Sequence, residues 1–227
     1  YELGLIREFQ RKASLYLEKE PDKDDILEWL AVMQHHGART RLIDWTYSFY
    51  TAVYFALSQN PEGGIVWAFN AATANKPQHI EAKAPAKVKA IYGRLRARDD
   101  VLGIRNRGDK LKDLAIVVHL FENPLPLVYA VNPFRLNRRL TVQQGLFLLP
   151  GDIRKSFKEN LRGHFTNDVR ELQANLHRIS ITPEKDERNR ILEALKGMNI
   201  TNEVLFPDLG GFAKSVGEYL AYPHMLG

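Results

Sequence analysis

Two apolar helical segments bracket a short polar stretch, and that juxtaposition constrains the fold of this chain more than any other feature. Ile26, Leu27, Leu30, Val32 and Met33 recur at helical spacing before the stretch, and apolar residues fill nearly all of positions 50–57 after it. The thirteen positions between, Gln34–Thr46, hold two His, two Arg, two Thr, one Asp, one Gln and one Trp. Charged groups beside buried elements are costly unless paired and hydrogen-bonded. Either Arg41 and Asp44 form a structural ion pair, or the cluster lines a pocket. An Arg fork and a Thr hydroxyl suit a pyrophosphate or a ribose, and Trp45 or Tyr47 suits stacking on a ring. Each residue taken singly has an ordinary role: Asp44 as a cap or the partner of Arg41, His36 on a helix C-terminal dipole, Trp45 in the core. Taken together they read as a site.

The rest of the chain mixes both periodicities. Leu5, Ile6, Phe9, Ala13 and Tyr16 predict a helix over 3–18, broken by Glu20-Pro21-Asp22. Asp24 or Asp25 caps the second helix, and Gly37 ends it. Thr40–Thr46 reads as a strand or extended loop, and Ser48 or Thr51 starts a helix over 50–57 that is apolar nearly all round and so buried. Strands are expected over 65–70, 114–121, 127–131, 139–149 and 177–181. Helices are expected over 153–161, from Pro183 to Met198, and over 209–220 behind an Asp208 cap; Leu205–Asp208 reads as extended. Strands and helices are interspersed without strict alternation, so the fold class is α+β (mixed α/β), with a mostly antiparallel central sheet flanked by helices. One domain is expected over 1–227. No Gly-rich dinucleotide or phosphate loop follows a strand.

Hydrophobic residues make up 44% of the chain and charged residues 26%, as in an ordinary globular protein that needs no staples to fold. The absence of cysteine excludes disulfides, thiolate zinc sites and a cysteine nucleophile. It fits a reducing compartment, and a cytoplasmic location is the expectation. The apolar runs are too short for a transmembrane helix, so no membrane partner is expected. The net charge is +5, yet residues 83–112 alone carry ten Lys/Arg against three Asp, a net of +7. That basic region, with Arg94, Arg96, Arg98, Arg105 and Arg107 as phosphate contacts and Tyr92 as a stacking ring, points to nucleic acid.

Gln34–Thr46, followed by the apolar helix to Ala56, resembles the centre of the FRG-domain family. Val131-Asn132-Pro133, Asn137-Arg138-Arg139, Gln143-Gln144-Gly145-Leu146-Phe147 and Leu205-Phe206-Pro207-Asp208-Leu209 follow in the family's order. The Phe-Arg-Gly tripeptide that names the family is expected upstream of Tyr1. FRG domains are distantly similar to ADP-ribosyltransferases, and the resemblance implies that fold, NAD as substrate, and transfer of ADP-ribose to a nucleic acid or protein acceptor in a toxin or phage-defence setting. It implies an NAD site built from His35, His36, Arg39, Thr40, Arg41, Trp45 and Thr46. It implies a catalytic group drawn from Glu203, Gln143, Gln144 and Asp44.

The chemistry explains why the choice among these matters. Breaking the glycosidic bond of NAD develops positive charge on the ribose, which a carboxylate stabilises better than a neutral amide does. No metal is expected, because the dense stretch supplies a single carboxylate. The alternatives are a non-catalytic nucleotide or nucleic-acid-binding module, an NAD glycohydrolase, and a metal-free nuclease using His35 or His36 with Arg39 and Arg41 as phosphate clamps. An antitoxin or chaperone is a further expected kind of partner.

Overall fold

The computed structural model describes residues 1–60, 62–74, 120–121, 124–133, 137–165 and 168–221. These form a mixed α+β fold that divides into two compact units. The first comprises Tyr1–Ile43, Asn70–Phe134 and Phe147–Asn175; the second comprises Asp44–Phe69, Arg135–Leu146 and Leu176–Gly227.

In the first unit, α1 (Glu2–Ala13) buries Ile6 and Ala13, and α2 (Ile26–His35) buries most of its length. The Asp25 side chain accepts from the Glu28 N–H, the expected cap. Phe9 of α1 meets Trp29 of α2 edge-on at 6.3 Å between ring centroids, and the Trp29 indole donates to the Asp22 carbonyl. Helix α1 stops at Ala13, several residues before the expected end at 18, because the chain turns at Ser14–Tyr16. The short α4 (Ala71–Ala74) follows. Strand β3 (Val128–Val131), fully buried, pairs antiparallel with Phe147–Pro150 of β4 (Gly145–Pro150). A Ser156–Glu159 capping box starts α6 (Phe157–His164), later than expected, and α7 (Val169–Asn175) was not legible. Of the strand expected over 114–121, only Leu120 and Phe121 are described, and they are helical.

In the second unit, β1 (Ile43–Thr46) leads into α3 (Phe49–Ser58), whose Ser48 cap accepts from the Thr51 N–H. The expectation that α3 is buried all round is corrected. Thr51, Val53, Tyr54 and Leu57 face inward, while Phe49 and Tyr50 are half exposed. Strand β2 (Gly64–Phe69) pairs antiparallel with β5 (Leu176–Ile181), Gly64 opposite Ile181 and Phe69 opposite Leu176. Gly63 makes the preceding turn at φ +100, where a Cβ would sit 2.1 Å from the Ile181 carbonyl oxygen, so only glycine fits. Val53, Tyr54, Leu57 and Val66 pack with Leu195 and Leu205 as the core.

The strand expected over 139–149 is corrected too. Asn137 caps a helical turn, α5 (Arg138–Val142), and Gln144 takes φ +49 before β4 begins. Pro183 precedes the N-cap, Glu184, of α8 (Lys185–Gly197) instead of lying in its first turn. Residues 202–205 form a short helix, α9 (Asn202–Leu205), capped by Thr201. Asp208 accepts from the Gly211 N–H at the start of α10 (Leu209–Ala221), as expected.

Candidate functional site

Helix α2 ends in a geometry that turns the polar stretch outward. The Ala38 N–H donates to Met33 and the Gly37 N–H to Gln34, with Gly37 at φ +80: the paired bonds of a Schellman end. Behind it, the Thr40 hydroxyl donates to Gln34 Oε1 at 2.8 Å and accepts from the Leu42 N–H at 3.1 Å. Thr40, expected to hold a cofactor, is thus occupied in holding its own loop. His35 closes α2 half-buried, its ring 4.9 Å from that of exposed His36.

Arg41 is the largest departure from the sequence reading. Its partner is Glu2, not Asp44. The Arg41 Nε lies 2.8 and 2.9 Å from the two Glu2 carboxylate oxygens, and its Nη2 donates to the same carboxylate. Its Nη1 reaches the carbonyls of Pro150 and Gly151 at 3.3 and 3.4 Å. The Arg41 side chain is 2% exposed, and the guanidinium carbon stands 5.4 Å from the Phe121 ring centroid. A guanidinium with a bidentate carboxylate and two carbonyls has every nitrogen engaged. Arg41 is structural, tying the start of α1 to the end of β4.

Arg39 does the opposite. It is exposed, and among the described residues its guanidinium meets no carboxylate. With His36 and Ala38 it lines a groove of about 720 Å³ along α1 and α2. Leu5, Phe9 and Ala13, spaced by four on one face of α1, form one apolar wall with Met33 opposite. Tyr16, Leu17, Glu8 and Lys12 complete the lining with Ala38. The Glu8 carboxyl is held below its usual range by the Lys12 ammonium, 2.8 Å away, and then by Arg11. The volume falls within the roughly 300–1,000 Å³ common for small-molecule sites, and the lining, apolar with few charged groups, is of the usual kind. Helical spacing revealed Phe9 and Met33 only as core positions; their second role as groove walls had no signal in the sequence.

The remaining expected site residues belong to the second unit. Asp44 is exposed, and Trp45 is half-buried with its ring edge-on to Phe69 at 6.2 Å between centroids. The Thr46 hydroxyl donates to the Gln143 carbonyl at 2.6 Å and accepts from the Ser48 N–H at 2.9 Å. Gln143 is buried, its amide donating to the Leu205 carbonyl at 2.8 Å. That bond corrects Gln143 as a catalytic candidate: its side chain faces the interior and secures α9. Gln144 is exposed at the turn. Glu203 is exposed in the first turn of α9, and the extended run expected there is helical. Arg94, Arg96, Arg98, Arg105 and Arg107, with the whole 83–112 region, lie outside the described residues. Among the described residues no group of three or more His, Asp or Glu could hold a metal ion, and no helix is long and apolar enough to cross a membrane.

The fold and groove define an α+β protein with a ligand-sized cleft on its first two helices. Residues 1–63 match the family model of the FRG domain, which bears out the resemblance read from Gln34–Thr46. The matched residues contain α1, α2 and α3, and every residue that lines the groove. The later motifs, from Val131 onward, lie beyond the match. No curated protein and no solved structure matches the chain.

Proposed function

We propose that this protein binds a dinucleotide, NAD in the first instance, in the groove of its first unit. The observation that carries the reading is that exposed Arg39 and His36 line an apolar cleft of about 720 Å³. A base or nicotinamide ring fits against Phe9 and Met33, where burial of a flat apolar face is favourable. The pyrophosphate lies toward Arg39, whose forked donors suit two phosphate oxygens, with His36 beside it. Lys12 is partly neutralised by Glu8, so Arg39 is the principal anion-binding group. Arg41 and Thr40 serve by holding the walls in place.

The second reading is transfer of ADP-ribose from NAD to a nucleic acid or protein, the activity that the FRG resemblance implies. It is favoured by Glu203, an exposed carboxylate that forms no ion pair among the described residues. With Gln143 committed to the Leu205 carbonyl, Glu203 is a stronger candidate than Gln143 for stabilising positive charge on a departing ribose. A toxin or phage-defence role, and an antitoxin or chaperone partner, would follow from such an activity.

Incubation with labelled NAD and total cell lysate, followed by separation of RNA, DNA and protein, distinguishes the two readings. Label carried into a macromolecular fraction, and lost in Glu203→Gln, is the outcome expected of a transferase. Saturable binding without turnover leaves the binding module. Free ADP-ribose alone identifies a glycohydrolase, and the absence of both binding and turnover in folded protein contradicts both readings.

A further inference from the structure

Strands β2 and β5 of the second unit form a two-stranded sheet with one covered face and one open face. Gly64 and Val66 turn toward α3: Val66 packs with Val53, Tyr54 and Leu57, and a Cβ at Gly64 would meet Ala56. Alternation along β2 therefore sends Ile65, Trp67 and Phe69 to the opposite face. The register sets Ser180, Arg178 and Leu176 across from them, on that same face. Ile65 and Trp67 are 45% and 47% exposed, and Arg178 and Ser180 are exposed as well. Trp45 meets Phe69 edge-on, so the rings of Trp67, Phe69 and Trp45 follow one another. Arg178 stands directly across from Trp67. Its Nη1 donates to the Ser180 hydroxyl at 2.8 Å, which holds the side chain along the strand, and it forms no ion pair among the described residues.

We propose that this open sheet face binds single-stranded nucleic acid, with a base stacked on Trp67 and a phosphate held by Arg178. Alternate residues on a strand stand about 7 Å apart, so the chain of nucleotides has room to run on from Trp67 toward Phe69. Stacking asks only for a π-face, which every base has, and a sheet that presents aromatic rings at alternate positions offers it to unstacked bases. A duplex keeps its bases stacked inside and cannot reach the rings. The six residues that the register sets on this face include no acid. Asp44 lies on the side of β1 opposite to Trp45 by alternation. The exposed Glu62 and Glu184 lie beyond the Gly64–Ile181 end of the sheet, away from Phe69. An apolar protein surface is the less suited occupant, since it would desolvate the Arg178 guanidinium without supplying a charge, whereas each nucleotide brings a ring and a phosphate together. The inference is independent of the dinucleotide reading, because it concerns the second unit alone.

The test is fluorescence anisotropy with the full chain, a labelled 20-nucleotide oligouridine and an RNA duplex of equal length, over a series of salt concentrations. The single strand is expected to bind more tightly than the duplex. Trp67→Leu, which keeps an apolar side chain but removes the ring, is expected to weaken binding about tenfold with the salt slope unchanged. Trp67→Phe is expected to retain most of the affinity. Arg178→Gln is expected to weaken binding and make the salt slope shallower by about 0.7, one phosphate contact on a single strand. Arg178 is solvent-exposed, so its variant keeps the test open should Trp67→Leu melt early; unchanged thermal melting establishes that a variant is folded. Folded variants that bind the oligonucleotide as the unaltered chain does would overturn the proposal. Equal weakening by Trp67→Phe and Trp67→Leu would overturn it by removing the stacking, and absence of binding by the unaltered, folded protein would overturn it outright.

Discussion

Arg41 takes its charge into the interior of the first unit and bonds there through all three guanidinium nitrogens, whereas Arg39, two positions earlier, stays in water at the groove. Removing Arg41 would leave the Glu2 carboxylate without its partner. Arg41→Ala should therefore destabilise the protein by about 3 kcal/mol, the low end for a broken buried pair because Glu2 keeps some access to water. Urea denaturation measures this; an Arg41→Ala protein of normal stability that no longer binds NAD would instead make Arg41 a ligand residue. Asp152 gives a pH-dependent test. Hydrogen bonds from the Arg154 side chain hold its carboxyl below the ordinary value, against the opposing effect of burial. A carboxyl lowered in the folded state stabilises the fold above its unfolded pKa of about 3.9, and that contribution is lost as pH falls through the folded value. Asp152→Asn should be less stable than the unaltered protein at pH 7, with the gap narrowing below about pH 4. An equal gap at pH 7 and pH 3 would show that the lost stability comes from neutral hydrogen bonds.

At the scale of elements, the secondary structure was legible wherever the signal was local. Asp25, Ser48 and Asp208 were readable as caps because a cap is specified within four residues, and β2, β3 and β5 because β-branched and aromatic runs mark them. The stretch 139–149 was misread because Gln143, Gly145 and Phe147 alternate as a strand does. The Asn137 cap and the positive φ of Gln144 decide the matter, and alternation does not report either. The candidate site was legible in the same measure. Arg39 and His36, singled out by polarity between apolar helices, line the groove, but the Glu2 partner of Arg41 lies 39 positions away, beyond any local pattern. Gln143 joins α5 to α9 through one buried bond. Gln143→Met should cost about 1–3 kcal/mol by leaving the Leu205 carbonyl unsatisfied. Gly163 is the point where α6 approaches residue 126, and a Cβ there would stand 2.3 Å from the Pro126 carbonyl oxygen. Gly163→Ala should lower stability by about 1–3 kcal/mol through forced separation, readable as a lower thermal midpoint. An unchanged midpoint would mean that α6 shifts without cost.

For the whole molecule, the two units divide the chemistry that the sequence had gathered into one stretch. Gln34–Thr46 crosses from the first unit to the second after Ile43, so His36 and Arg39 serve a groove in one, while Thr46 and Trp45 brace β1 in the other. The mixed α+β class was readable from interspersed periodicities; the division was not, because each unit is assembled from three separated segments. The central claim is that the first unit holds a dinucleotide at Arg39. Isothermal titration of NAD into the full chain and into Arg39→Glu tests it most directly. The account predicts saturable binding at one site per chain, weakened about tenfold or more in the folded variant through loss of a charged hydrogen bond and gain of repulsion. Equal affinity in the two proteins, or no heat of binding in the unaltered one, would contradict it.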